Sequence, residues 1–157
     1  MNPSYRFESL SDSIKVCVSP EHRFGTDAFL LANFAAPRHK DIVCDLGTGC
    51  GIIPMALAKN YQPKQIVGVD IQQQAIEQFQ LSIEHSDLEG SITAIHADLK
   101  DIAEVNSASL TPHSFDIVKN LCCCCSSVCV DNLLKDLLDL FLTNVELNLK
   151  LECILSL

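Results

Sequence analysis

Residues 41–51 read Asp-Ile-Val-Cys-Asp-Leu-Gly-Thr-Gly-Cys-Gly, and this stretch decides the fold. Its first half, Asp41 to Leu46, is a mostly apolar run with β-branched members, bounded by Gly47. That pattern predicts a strand buried on both faces. Its second half places three glycines where the strand must turn, and a helix is predicted next, from Ile52 to Tyr61. Pro54 is tolerated there because it falls in the first turn, where the backbone N–H has no helical partner to lose. Glycines at such a turn let the backbone bend sharply and let a ligand approach without a Cβ in the way. The helix N-terminus then offers free N–H groups to a polar or anionic group.

Working outward, the same alternation repeats. Gln65 to Ile71 (QIVGVDI) predicts a second buried strand. Gln72 to His85 predicts a helix, with Ala75, Ile76, Phe79 and Ile83 at helical spacing. Ser91 to Ala97 and Ser114 to Val118 complete four short strands, and Ala28 to Ala35 predicts a short apolar helix ended by Pro37. Short strands alternating with helices require right-handed crossovers and a parallel sheet. The expected class is therefore α/β, a doubly wound Rossmann-like fold with a mostly parallel sheet.

Acidic residues stand at the ends of these strands. Asp70 closes the second strand, 19 residues beyond Gly51, a distance at which a carboxylate can accept ribose hydroxyls. Asp98 closes the third, again at a carboxyl edge, where open α/β sheets bind ligands. Taken singly, an Asp at a strand end can be a helix cap. Together with the glycine turn, the pattern points to a ligand containing a nucleoside, and a dinucleotide is the alternative. A dinucleotide site, however, reads Gly-x-Gly-x-x-Gly, whereas this loop reads Gly-x-Gly-x-Gly with Asp45 two residues before the first glycine.

At this point the sequence resembles class I S-adenosylmethionine-dependent methyltransferases, whose first motif has the form Asp-Leu-Gly-x-Gly-x-Gly. The resemblance implies S-adenosyl-L-methionine as cofactor. It implies that Asp45, Gly47, Thr48, Gly49 and Gly51 lie against the methionine part. Asp70, with Ile71 beside it, would take the ribose, and Asp98 with Leu99 would border the adenine. Upstream, Arg23-Phe-Gly-Thr-Asp-Ala-Phe-Leu-Leu-Ala32 resembles the Gly-Thr-Asp segment of bacterial adenine-N6 tRNA methyltransferases of the valine-tRNA type. By that resemblance Phe24, Gly25, Thr26 and Asp27 fold over the cofactor, and the acceptor is an adenine N6 in tRNA. A protein glutamine or a ribosomal RNA base is the alternative acceptor.

The resemblance runs from about Tyr5 to Val118 and then stops. In the family the fourth strand leads into Asn-Pro-Pro-Tyr, in the form Phe-Asp-x-Val-x-x-Asn-Pro-Pro-Tyr. The Asn side chain and a proline carbonyl hold the target amino group, and the Tyr ring stacks on the extruded base. Here Phe115-Asp116-Ile117-Val118 matches, but Leu121, Cys122, Cys123 and Cys124 occupy the four motif positions, with Asn120 one residue early. No catalytic residue is therefore assigned. An inactive cofactor-binding chain without turnover is the rival expectation.

Composition breaks at the same place. All six Gly and all six Pro lie at or before Pro112, and six of the nine cysteines lie between Cys122 and Cys153. The expected organisation is an N-terminal segment over 1–40, a cofactor-binding core over 41–119 and an atypical Cys/Leu-rich tail over 120–157. In the tail, Leu133 to Val145 carries a helical pattern and Leu147 to Cys153 an alternating one. A translated wrong frame or a diverged remnant would explain the tail. Neighbouring cysteines on a strand point in alternating directions, and none of the five histidines stands at a matching interval, so no metal site is expected.

Net charge is -9, and residues 1–40 are slightly basic while the rest holds 16 acids against six basic side chains. An acidic body does not favour phosphate backbones, so any tRNA contact would have to use the N-terminal segment or a part outside this sequence. No apolar run reaches the roughly 18 residues of a membrane span. The first 20 residues lack the apolar core of a signal peptide, so a cytoplasmic protein without membrane contact is expected.

Overall fold

The two apolar runs flanking the glycine turn become the centre of a parallel sheet. The computed structural model describes residues 4–102, 105, 110 and 114–120. In chain order its elements are β1 (Arg6–Ser9), β2 (Lys15–Val18), α1 (Thr26–Ala35), β3 (Ile42–Leu46), α2 (Ile52–Asn60), β4 (Gln65–Asp70), α3 (Gln73–Glu84), β5 (Ile92–His96) and β6 (Ile117–Asn120). β3 pairs with β4 in parallel, Cys44 opposite Val67, and β4 pairs with β5 in the same sense, Val67 opposite Thr93.

Strand order is β5-β4-β3-β6. The chain therefore steps outward from β3 to β5 and then returns to lay β6 on the other side of β3. With right-handed crossovers, that reversal sends the connections before and after β5 to opposite faces, which is the doubly wound arrangement. The carboxyl ends of β3 and β6, where the order reverses, are the place at which such sheets bind ligands.

Alternation along each strand feeds two cores. Val43, Ile66 and Ile92 pack with Ala28 and Ala32 of α1, Met55 and Leu57 of α2, and Ile76, Phe79 and Ile83 of α3. Cys44, Leu46, Val67 and Val69 point the other way, under Ile102, Leu110 and Phe115. The three described helices all contribute to the first core. Full burial of a side chain such as Leu57 or Phe79 contributes about 1.5–3 kcal/mol.

Differences from the sequence-based expectation are local. α1 begins at Thr26, two residues early, because Gly25 is extended (φ -103°, ψ 178°) and serves as its N-cap. β6 begins at Ile117 rather than Ser114. Asp116 explains the delay: its N–H donates to Ile42 O at 2.9 Å, and its carboxylate accepts from Ile42 N at 2.9 Å. That clasp holds residues 114–116 around the start of β3 and leaves Phe115 buried in the second core. The helix and strand expected in the tail lie outside the described residues.

The hairpin of β1 and β2 was not anticipated from the sequence. Its strands are antiparallel, Phe7 opposite Cys17, and β2 lies along α3. Cys17 N donates to Ser82 Oγ at 2.8 Å, Gln78 Nε2 donates to Cys17 O at 3.3 Å, and Lys15 N donates to Ser86 Oγ at 3.1 Å. Polar side chains of α3, and Ser86 just past its end, thus satisfy strand groups that an edge would leave bare.

Candidate cofactor site

The glycine turn leaves the end of β3 and is fastened to the end of β4. Gly47 N and Thr48 N both donate to Val69 O, at 2.8 and 3.0 Å. Two of its glycines have separate reasons to be glycine. Gly51 caps α2 in the left-handed region (φ +83°), and a Cβ there would run into the Phe79 ring. Gly49 is also left-handed (φ +56°), but a Cβ there would meet nothing within 4 Å. Gly51 therefore serves packing, while Gly49 faces open space beside the turn.

Asp70 joins this turn to the next helix. Its Oδ2 accepts from Gly49 N at 2.8 Å and its Oδ1 from Gln72 N at 2.9 Å. The side chain is buried. Each carboxylate oxygen can accept more than one hydrogen bond, so both retain capacity for ligand hydroxyls. Ile71, the next residue, is 57% exposed and presents apolar surface beside that carboxylate.

Other predicted residues divide clearly. Asp45 is fully buried in β3, opposite Gly68 of β4 and Lys119 of β6. Thr48 is buried too, and its Oγ1 has no hydrogen-bond partner among the described residues. Asp98 lies just past β5, half-buried, where its Oδ1 accepts from Lys100 N at 2.9 Å. Leu99 packs against the second core. Ala97 N to Asp70 O at 3.0 Å, and His96 Nε2 to Ile71 O at 2.8 Å, lace the ends of β4 and β5 together. Asp45, Gly47, Thr48, Gly49, Gly51, Asp70, Ile71 and Asp98 thus gather along one sheet edge.

Phe24, Gly25, Thr26 and Asp27 form a second group, at the start of α1. Phe24 stands edge-on to Phe29 (centroids 5.8 Å apart) and packs on the first core. Thr26 and Asp27 are exposed, and the Asp27 carboxylate folds back beside the Gly25 Cα. Sequence reasoning missed Gly68. A Cβ there would stand 2.5 Å from Phe79 Cε1 and 2.8 Å from Thr48 Oγ1, so its lack of a side chain lets the turn and α3 seat on β4.

The cysteines near this edge are not poised as nucleophiles. Burial pushes the Cys50 thiol up to about 11, and burial with the neighbouring Asp45 charge pushes Cys44 higher still. Among the described residues no cluster of His, Cys, Asp or Glu could hold a metal ion, and no helix is long and apolar enough to cross a membrane.

A glycine-rich turn at the switch point of a parallel sheet, with a buried carboxylate fastened to it, stands where open α/β sheets bind their ligands. The chain belongs to the methyltransferase domain family, whose model matches residues 38–156. That match runs past the composition break near residue 120. The chain is 30% identical over 104 residues to the tRNA1(Val) (adenine(37)-N6)-methyltransferase of Christiangramia forsetii, covering 66% of this chain and 42% of that protein. The enzyme of the same name from Vibrio vulnificus is 32% identical over 74 residues, covering 47% of this chain and 31% of that protein. The chain thus spans less than half the length of these curated relatives. In fold it is similar to TYW2 of Methanocaldococcus jannaschii, solved in complex with AdoMet, with a TM-score of 0.58 and 16% identity over 75% of this chain and 51% of that one.

Proposed function

We propose that the chain binds S-adenosylmethionine along the carboxyl ends of β3, β4 and β5, as part of a methyltransferase that acts on an adenine N6 in tRNA. The observation that carries the cofactor reading is the Asp70 carboxylate, held by Gly49 N–H and Gln72 N–H beside an open Gly49. Two features suit this cofactor: the buried Thr48 hydroxyl lacks a protein partner among the described residues, and the space over Gly49 would be filled by any side chain. Membership of the methyltransferase family supports the same cofactor, and the names of the curated relatives support the tRNA acceptor.

When bound, the cofactor supplies an electrophilic methyl group on a sulfonium. The residues of the chain bind and orient. Asp70 would accept the ribose hydroxyls, Ile71 and Asp98 would flank the base, and the turn from Gly47 to Gly51 would pass under the methionine part. Phe24 to Asp27 would cover it from the side of α1. Catalysis of this kind rests on positioning for in-line displacement rather than on a covalent nucleophile.

A second reading, cofactor binding without turnover, is favoured by one observation. Leu121-Cys122-Cys123-Cys124 stands where the family's acceptor-holding Asn-Pro-Pro-Tyr belongs. Transfer of labelled methyl from S-adenosylmethionine to unmodified bacterial tRNA separates the two. The Leu-Cys-Cys-Cys sequence predicts no transfer above background, and clear labelling of an adenine N6 would reject the inactive reading.

A further inference from the structure

The segment between β2 and α1 is tied to the cofactor edge by one side chain outside every motif considered so far. His22 Nε2 lies 2.7 Å from Gln72 Oε1, across 50 residues of sequence. A glutamine carbonyl can only accept, so the His22 Nε2–H donates. Gln72 is the N-cap of α3, and its N–H donates to Asp70 Oδ1. The second oxygen of Asp70 accepts from Gly49 N. A continuous path of hydrogen bonds thus runs from His22 through Gln72 and Asp70 to the glycine turn.

The other side of His22 is equally fixed. Its N–H donates to Ser19 Oγ at 3.1 Å, its carbonyl accepts from Ser19 N at 3.1 Å, and Ser19 Oγ donates to Gln78 Oε1 at 3.3 Å. Gln72 caps α3 and Gln78 lies within it, so the turn from Ser19 to His22 is buttoned to that helix at two points. His22 Nδ1 is buried and has no hydrogen-bond partner among the described residues. The ring's orientation therefore depends on its bond to Gln72.

We propose that His22 is a positioning residue: through Gln72 it fixes the Arg23–Asp27 segment relative to Asp70, so that this segment covers the cofactor. The inference rests on the cofactor reading above. His22 touches no reacting atom in this scheme and acts through Gln72.

The test uses the full chain, with His22→Ala, Gln72→Ala, their combination and His22→Gln. Titration calorimetry with S-adenosylmethionine should show each single alanine variant binding about five- to tenfold more weakly, the effect of one hydrogen bond. The double variant should bind no worse than either single one, because both remove the same link. His22→Gln, which keeps an N–H near the position of Nε2, should recover most of the affinity. Losses that multiply in the double variant, or His22→Ala binding like the native chain, would overturn the proposal. Gln72 is exposed, so its alanine variant tests the link even if His22→Ala does not fold. Hydrogen exchange of residues 22–27 without ligand gives a separate reading. Protection lost in both single variants supports the link, and unchanged protection overturns it. If the native chain itself shows no binding, the cofactor reading fails, and this exchange measurement still decides the role of His22.

Discussion

Gly49 and Gly51 are two residues apart, share a left-handed backbone and do different work. Because the Gly51 Cα faces the Phe79 ring, Gly51→Ala must displace that ring or the start of α2. Overpacking together with the left-handed penalty gives an expected loss of about 2–4 kcal/mol, measured by denaturant unfolding. Gly49→Ala meets open space, so its cost to the fold is about 1–2 kcal/mol from backbone strain alone. Its larger effect should fall on cofactor affinity, which calorimetry reads. Equal destabilisation by the two substitutions would contradict the division. The positions of Asp70 and Asp98 were legible in the sequence because each stands at a strand end, and that of Asp45 because it precedes the glycine turn by two residues. Gly68 was not, since its role exists only when Phe79 and Thr48, distant in sequence, converge on β4. His22 was equally hidden, because nothing in its neighbourhood announces a partner 50 residues away.

At the scale of elements, β3 and β4 were legible because burial on both faces leaves mostly apolar runs. The β1–β2 hairpin was not. Lys15-Val-Cys-Val18 is a short run whose partner strand, Arg6–Ser9, carries two charged residues and gives no alternation. Its stability comes from α3, through Ser82 and Gln78. Ser82→Ala would strand the Cys17 N–H inside the protein, and a loss of about 1–3 kcal/mol is expected in denaturant unfolding. A neutral result would mean that the hairpin does not depend on this seam. The start of β3 carries an acid-sensitive joint. Burial alone would raise the Asp41 carboxyl, but the Arg38 backbone N–H at 2.8 Å and its guanidinium at 3.1 Å outweigh burial and hold it below the usual range. A depressed carboxyl contributes stability above its unfolded value, near 4, and loses it as pH falls through the folded value. Asp41→Asn should therefore lower Tm at pH 7 and flatten the fall of Tm below about pH 4. An unchanged acid profile would show that this pair does not set it.

For the whole molecule, the parallel sheet and the placing of the glycine turn and Asp70 at its carboxyl edge were legible because alternation, glycine placement and acid placement agree with one another. The reversal of strand order at β3 was implied by the class, and it is what sets the glycine turn beside the end of β6. Composition also showed the break near residue 120, and the family match nevertheless continues to residue 156. The central claim is that this edge holds S-adenosylmethionine, and titration calorimetry of the full chain tests it most directly. Saturable one-to-one binding is predicted for the native chain, with a marked loss in Asp70→Ala, which removes the carboxylate that holds Gly49 N and Gln72 N. No heat from the native chain at millimolar S-adenosylmethionine would contradict the account.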